Sequence, residues 1–71
     1  MTAKQILKEI LMKKRKLEEV GFEPTFVLLS KENYDVLNNS FVKIHSNIIE
    51  IYDLHIFVDY YETKDIIGVG I

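Results

Sequence analysis

The residues of this chain that offer most to chemistry are its histidines, His45 and His55, and the aspartates near the second one. His55 lies in a stretch where apolar and polar residues alternate, and Asp53 and Asp59 have the same parity. Residues two or four apart on a strand share a face, so these three side chains form a candidate metal site. A strand with one solvated face ordinarily carries such residues as free polar groups, and we therefore expect no metal.

The sequence carries no motif for nucleophilic catalysis or phosphate binding. Ser30 stands where a helix cap is expected and Ser46 where a turn is expected, and no glycine-flanked elbow surrounds either. Gly68-Val69-Gly70 is not followed by a helix, as a phosphate-binding loop would be. No pattern among the carboxylates indicates a pocket that would raise the pKa of one of them. We expect a protein that is not an enzyme and that has no catalytic residues and no cofactor.

Lys13-Lys14-Arg15-Lys16 is the basic cluster of the sequence. In a nucleic-acid-binding protein it would contact phosphates while Phe57 and Tyr61 stacked on bases. Consecutive residues of a helix point in different directions, and the chain has a net charge of -2 at pH 7. Nucleic acid binding through the first helix is therefore the alternative hypothesis, and solvated cations at a helix end are the simpler interpretation.

Aromatic residues of the C-terminal half indicate a contact surface. Phe57 and Tyr61 share a face of their predicted strand with charged residues, and Tyr52 lies at the turn before it. Aromatic side chains beside charges on an uncovered face are typical of a protein interface. In the other interpretation, which stays open, residues 41–49 form an element that folds over this face.

Residues 2–20 are predicted to form an amphipathic helix. Thr2 and Gln5 have the spacing of a capping box. Gly21 suits the left-handed position after the last turn, and Phe22 is placed to contact Leu17. The apolar residues that recur at helical spacing are Ala3, Ile6, Leu7, Ile10, Leu11 and Leu17.

Residues 24–37 are predicted to form a buried strand that leads directly into a capped helix. The uninterrupted apolar run of residues 26–29 suits a central strand that is covered on both faces. Pro24 fits the start of the strand, and Ser30 fits the N-cap of the helix. The helix is expected to end at residues 38–40, Asn-Asn-Ser.

The rest of the chain is predicted to form strands. Residues 41–45 resemble an edge strand, residues 48–51 a short strand, and residues 54–60 a strand with Leu54, Ile56, Val58 and Tyr60 on one face. Ile67, Val69 and Ile71 alternate with glycines in a final strand, whose glycine face lets another backbone or a partner approach. The fold class is α+β. We expect a single domain, residues 1–71, built as a two-layer sandwich with two helices on one face of a small, mainly antiparallel sheet, in the order α-β-α-β-β-β.

Composition and charge favour a small globular protein that is supported by oligomerisation. The chain has 71 residues, 48% of them hydrophobic, and no cysteine, so disulfides cannot support its small core. No apolar run approaches the about 18 residues of a membrane span, and we expect a cytoplasmic protein. Residues 1–22 carry a charge of +3 and residues 23–71 a charge of -5. We attribute this asymmetry to the first helix crossing the rest of the domain, with oppositely charged faces that meet between copies or on a partner as the alternative.

The final strand is predicted to be an edge at which the chain dimerises. It is apolar and has no lysine or proline after Lys64 to protect it, so it invites pairing with a second copy about a twofold axis. Alternatively, it is paired on both sides and residues 41–45 form the outer edge. The predicted interface residues are Tyr52, Phe57, Tyr61, Ile67, Val69 and Ile71.

Residues 24–71 resemble the peripheral domain of tailed-phage major capsid proteins. The segments that carry the resemblance are Pro24-Thr-Phe-Val-Leu-Leu-Ser30, Glu32-Asn-Tyr-Asp-Val-Leu37 and Ile51-Tyr-Asp-Leu-His-Ile-Phe-Val-Asp59. Family members usually have glycine at position 53, where aspartate also tolerates a left-handed turn. The arm and axial domain of a shell protein have no counterpart in this sequence. The resemblance thus implies a small phage or prophage protein, in the host cytoplasm or the virion, that binds a protein partner or itself.

Overall fold

The computed structural model describes residues 1–41, 47–61 and 65–71, and it has two helices and a four-stranded mixed sheet. The α+β class predicted from the sequence is confirmed. The elements are α1 (Ala3–Glu19), β1 (Phe26–Ser30), α2 (Lys31–Phe41), β2 (Glu50–Ile51), β3 (Leu54–Asp59) and β4 (Ile67–Gly70). The predicted edge strand at residues 41–45 lies, apart from the backbone of its first residue, outside the described residues.

Helix α1 begins and ends as its sequence predicts. The Gln5 amide donates to Thr2 Oγ1 over 3.2 Å, and the Thr2 amide donates to Gln5 Oε1 over 2.8 Å, which completes the capping box. At the other end the Gly21 amide donates to the Glu18 carbonyl and the Phe22 amide to the Leu17 carbonyl. Gly21 has φ +90°, a conformation that costs glycine little. This is the Schellman pattern, because the two bonds satisfy carbonyls that the last turn leaves free.

Strand β1 is central, as predicted, in a sheet of order β2-β3-β1-β4. It pairs parallel with β3 and antiparallel with β4, while β2 pairs antiparallel with β3. Antiparallel pairing therefore predominates, although β1 pairs over more residues with its parallel neighbour β3 than with β4. Parallel neighbours need a crossover connection, and the chain between β1 and β3 includes α2.

One core joins both helices to alternate residues of the strands. Ile6 and Ile10 of α1 and Leu37 of α2 are fully buried against the core side chains of the sheet. The sheet contributes Val27, Leu29, Leu54, Ile56 and Ile67. The prediction that β1 is covered on both faces holds for only one of them, because Phe26 and Leu28 are only half-buried.

Helix α2 starts at the predicted cap and runs past its predicted end. The Asn33 amide donates to the buried Ser30 Oγ over 3.3 Å. The helix continues to residue 41 because its polar residues do not turn the chain. Asn38 Oδ1 instead accepts from the Ile48 amide over 2.9 Å, and Ser40 Oγ donates to the Val36 carbonyl one turn earlier. Polar side chains that bond to groups outside or below their own turn are compatible with a continuing helix.

A two-residue turn joins β2 to β3. Ile51 and Leu54 are paired across it, and the residues between them, Tyr52 and Asp53, have φ of 51° and 63°. Two successive positive φ values are the signature of a type I′ hairpin turn, whose twist matches that of the strands. The left-handed conformation predicted for Asp53 is confirmed.

Candidate interaction surface

The residues of the strands that point away from the core form a second surface, which we call the open face. The strand registers place Glu50, His55, Phe26 and Gly70 in one row across the sheet, and Phe57, Leu28 and Gly68 in the next. Asp59 follows, opposite Ser30. The buried apolar residues of the two described helices belong to the core and so do not cover this side.

Aromatic rings occupy the centre of the open face. Phe26 and Phe57, on neighbouring strands, have ring centroids 5.7 Å apart and an interplanar angle of 80°. The His55 ring lies 4.7 Å from that of Phe57. Edge-to-face contacts of this kind hold the rings in place, yet Phe57 remains 50% exposed. The result is an ordered apolar patch in contact with solvent.

The two glycines of β4 have different surroundings on the open face. A β-carbon at Gly70 would come within 2.3 Å of the Phe26 ring, so this ring lies directly over the backbone of β4. A β-carbon at Gly68 would have only Leu28 Cβ as a neighbour, at 4.0 Å. The close approach predicted at the glycines is thus made at Gly70 by the chain's own Phe26, while the surface over Gly68 is clear in the described part of the chain.

The charged residues of the open face are acidic. Glu50 lies at the β2 edge, and Asp59 lies at the end of β3, where its Oδ1 accepts from the Tyr61 amide over 3.0 Å. Among the described strand residues on this face there is no lysine or arginine. The open face therefore combines an aromatic centre with a negative rim.

The predicted interface residues divide between this surface and others. Phe57 lies at the centre of the open face; Tyr61, 96% exposed, follows β3; and Tyr52 is partly exposed in the hairpin turn. Ile67 is buried in the core and its side chain is not available at a surface, and the partly buried Val69 packs against the core.

Ile71, beyond the end of β4, is exposed. Phe26 and Leu28 belong to the patch but were not predicted, because an uninterrupted apolar run does not show which residues leave the core.

Strand β4 is an edge, as predicted, and pairs with β1 alone among the described strands. The Ser30 amide donates to the Ile66 carbonyl. Because hydrogen-bonded residues alternate along an antiparallel pair, the backbone N–H and C=O groups of Ile67 and Val69 point away from β1. Lys13 Nζ of α1 donates to the outward carbonyl of Ile67. The expectation of an edge without a protecting lysine is thus wrong: the lysine comes from a distant part of the sequence.

The basic cluster is divided by its contacts. Lys13 bonds to β4 and lies 3.6 Å from Glu9, and Lys14 Nζ donates to the Tyr52 carbonyl in the β2–β3 turn over 2.9 Å. Arg15 and Lys16 are exposed. Half of the cluster thus ties α1 to the sheet, which agrees with the interpretation of the charge asymmetry as contact within the domain.

The candidate metal residues do not form a site in the described part of the chain. Asp53 lies in the turn and not on the strand that carries His55 and Asp59, and no group of three potential ligands is close enough to hold an ion there. His45 lies outside the described residues. The one titratable group with a distinct shift in the described segments is structural: burial, followed by the nearby Tyr60, raises the pKa of Tyr34, whose hydroxyl donates to the Ile48 carbonyl over 2.9 Å.

Neither described helix is long and apolar enough to cross a membrane. Comparison with protein-family models, with curated proteins and with solved structures finds no match for this chain.

Proposed function

We propose that this chain is a small, non-enzymatic protein-interaction or structural domain whose contact surface is the open face. The observation that carries the proposal is the half-exposed Phe57 ring, which is held by Phe26 and His55 on the side of the sheet away from the core. Interfaces are enriched in aromatic residues at their centre and polar at their rim, and the open face has this arrangement.

Burial of the patch by a partner would contribute favourably to the free energy of binding. A fully buried phenylalanine contributes about 1.5–3 kcal/mol relative to an exposed one, so covering the exposed half of Phe57 is worth about 1 kcal/mol. Phe26 and Leu28, which are half-buried, extend the apolar area beside it. Residues of this kind, central and surrounded by contacts that exclude water, carry most of the binding energy in protein interfaces.

The resemblance of residues 24–71 to the peripheral domain of tailed-phage major capsid proteins supports a phage or prophage origin. A role in the host cytoplasm or in the virion follows from that origin. The partner is then a phage or host protein, or a second copy of the chain.

Nucleic acid binding is the weaker candidate on electrostatic grounds. Stacking of bases on Phe57 would bring phosphates towards Glu50 and Asp59, which repel them. Two of the basic residues that would offset this repulsion, Lys13 and Lys14, are engaged with backbone carbonyls.

Site-specific photo-cross-linking tests the proposal. A photoreactive phenylalanine analogue at position 57 should give protein adducts in host extract, and the same analogue at Ile49, which is 67% exposed outside the open face, should give few. Equal yields at the two positions would count against the open face as contact surface. A salt-sensitive mobility shift of generic DNA or RNA that is lost on Arg15→Glu would favour the alternative instead.

A further inference from the structure

Helix α1 carries a second exposed surface, which we call the outer strip. Its residues recur at helical spacing on the side opposite Ile6 and Ile10, and all are exposed. They are Met1, Gln5, Lys8, Met12, Arg15 and Lys16. Met12 is 50% exposed, and a shallow, open depression runs beside it. The outer strip therefore combines two methionines with three basic residues, and Glu9 also lines the depression beside Met12.

The outer strip and the open face complement each other in charge and in apolar character. Residues 1–22 carry +3 and residues 23–71 carry -5. Lys8 and Lys16 of one surface are opposite in charge to the exposed Glu50 at the edge of the other. Methionine sulfur also contacts aromatic rings favourably, which suits Met12 against the rings of the open face.

The dimensions of the two surfaces also agree. Four strands spaced about 4.8 Å apart make a face about 14 Å wide, which accommodates one helix of about 10–12 Å diameter. Along β3, His55 and Asp59 are separated by about 13 Å. Lys8 and Lys16, eight positions apart, are separated by about 12 Å along the helix.

We propose that the open face of one copy binds the outer strip of α1 of a second copy. This inference rests on the proposed function, since it names the occupant of the same contact surface. The two surfaces share no residue, so each junction uses one surface of each copy and leaves the other free. Such head-to-tail contacts continue from copy to copy, and they form rings or open chains rather than an isologous dimer.

Two half-blocked variants test the proposal. Met12→Glu blocks the outer strip and Phe57→Glu blocks the open face, while Val20→Glu and Ile49→Glu make the same kind of change at exposed apolar residues outside both surfaces. In sedimentation velocity, the wild-type chain and both controls should exceed 8.3 kDa at high concentration, and salt should reduce this association. Each half-blocked variant alone should self-associate about tenfold more weakly or worse.

The decisive sample is the equimolar mixture. Met12→Glu retains an intact open face and Phe57→Glu retains an intact outer strip, so together they form one native junction. The mixture should give a species of twice 8.3 kDa and none larger. Circular dichroism melting checks that each variant is folded; if Phe57→Glu is not, Glu50→Lys at the exposed rim replaces it.

Other outcomes overturn the proposal in distinguishable ways. Self-association that survives Met12→Glu but not Phe57→Glu would mean that two open faces pair with each other. Association that survives both variants would place the contact elsewhere, as at the β4 edge. A wild-type mass of 8.3 kDa at every concentration would exclude the second copy, and cross-linking from position 57 would then decide the proposed function by itself.

Discussion

The two faces of the sheet are made from alternate residues of the same strands, yet the buried residues of the two described helices pack against only one of them. On the core face, Val27, Leu29 and Leu54 are fully buried by the helices. On the open face, half of the Phe57 surface stays in water. Alternation alone assigns a residue to a face, and closure of that face depends on what packs against it.

The largest expected effect is that of a substitution on the core face. Ile10→Ala removes fully buried side-chain atoms between α1 and the sheet, and we expect it to lower the free energy of unfolding by about 2–4 kcal/mol. Urea denaturation measures this loss. Met12→Ala on the same helix, but on the outer strip, is the control and should cost less than about 0.5 kcal/mol. Similar losses for the two variants would mean that α1 is not docked through Ile10.

A comparison along one strand tests how the two faces differ. Leu54→Ala should cost about 2–5 kcal/mol because the side chain is fully buried. Phe57→Ala, three residues later on the open face, should cost only about 1 kcal/mol because half of its ring is already in solvent. Thermal or urea unfolding of both variants at low protein concentration gives the two values. Equal costs would show that the open face is packed in the monomer.

The glycines of β4 offer a finer test of packing on the open face. Gly70→Ala forces the Phe26 ring to move, because the new β-carbon would lie 2.3 Å from it, and we expect a cost of about 1–3 kcal/mol. Gly68→Ala meets only Leu28 Cβ at 4.0 Å and should be nearly neutral. If the clash is the cause, Phe26→Ala should remove most of the cost of Gly70→Ala in a double-mutant cycle. Additive costs would assign the effect to the β4 backbone instead.

The smallest expected effect concerns a polar contact beside the core. Tyr34→Phe removes the hydrogen bond to the Ile48 carbonyl and should cost about 1 kcal/mol at neutral pH. Since the pKa of Tyr34 is raised in the folded chain, the unfolded chain loses this proton first, and wild-type stability should fall as pH rises above 10.0. The stability gap between wild type and Tyr34→Phe should therefore narrow above that pH. A constant gap would mean that this hydroxyl has the same pKa in both states.

What could be predicted of the fold is what depends on neighbours in the sequence. The capping box of Thr2 and Gln5, the Gly21 stop and the Ser30 cap are bonds between residues three to five apart. Such contacts form once the local backbone does, so residue types at the right spacing suffice to predict them. The end of α2 was predicted too early because the Asn38 side chain bonds to Ile48, a partner that its own neighbours do not reveal.

The candidate site could be predicted only in part for the same reason. Phe57 was identified because alternation along β3 separates it from Leu54 and Ile56. Phe26 and Leu28 were missed because their run is uniformly apolar, and only the register with β3 and β4 shows that they lie beside Phe57 and the glycines.

The sequence by itself determined α1 and its caps, the N-cap of α2 and the alternation of β3, all through interactions a few residues long. Tertiary structure alone decided the strand order, the parallel pairing of β1 with β3, and the lysine of α1 that protects the β4 edge. Pairing between distant segments depends on which surfaces bury each other best in the whole chain. The composition of each segment taken separately does not contain that information. The open face is therefore defined only by the pairing and register of the strands.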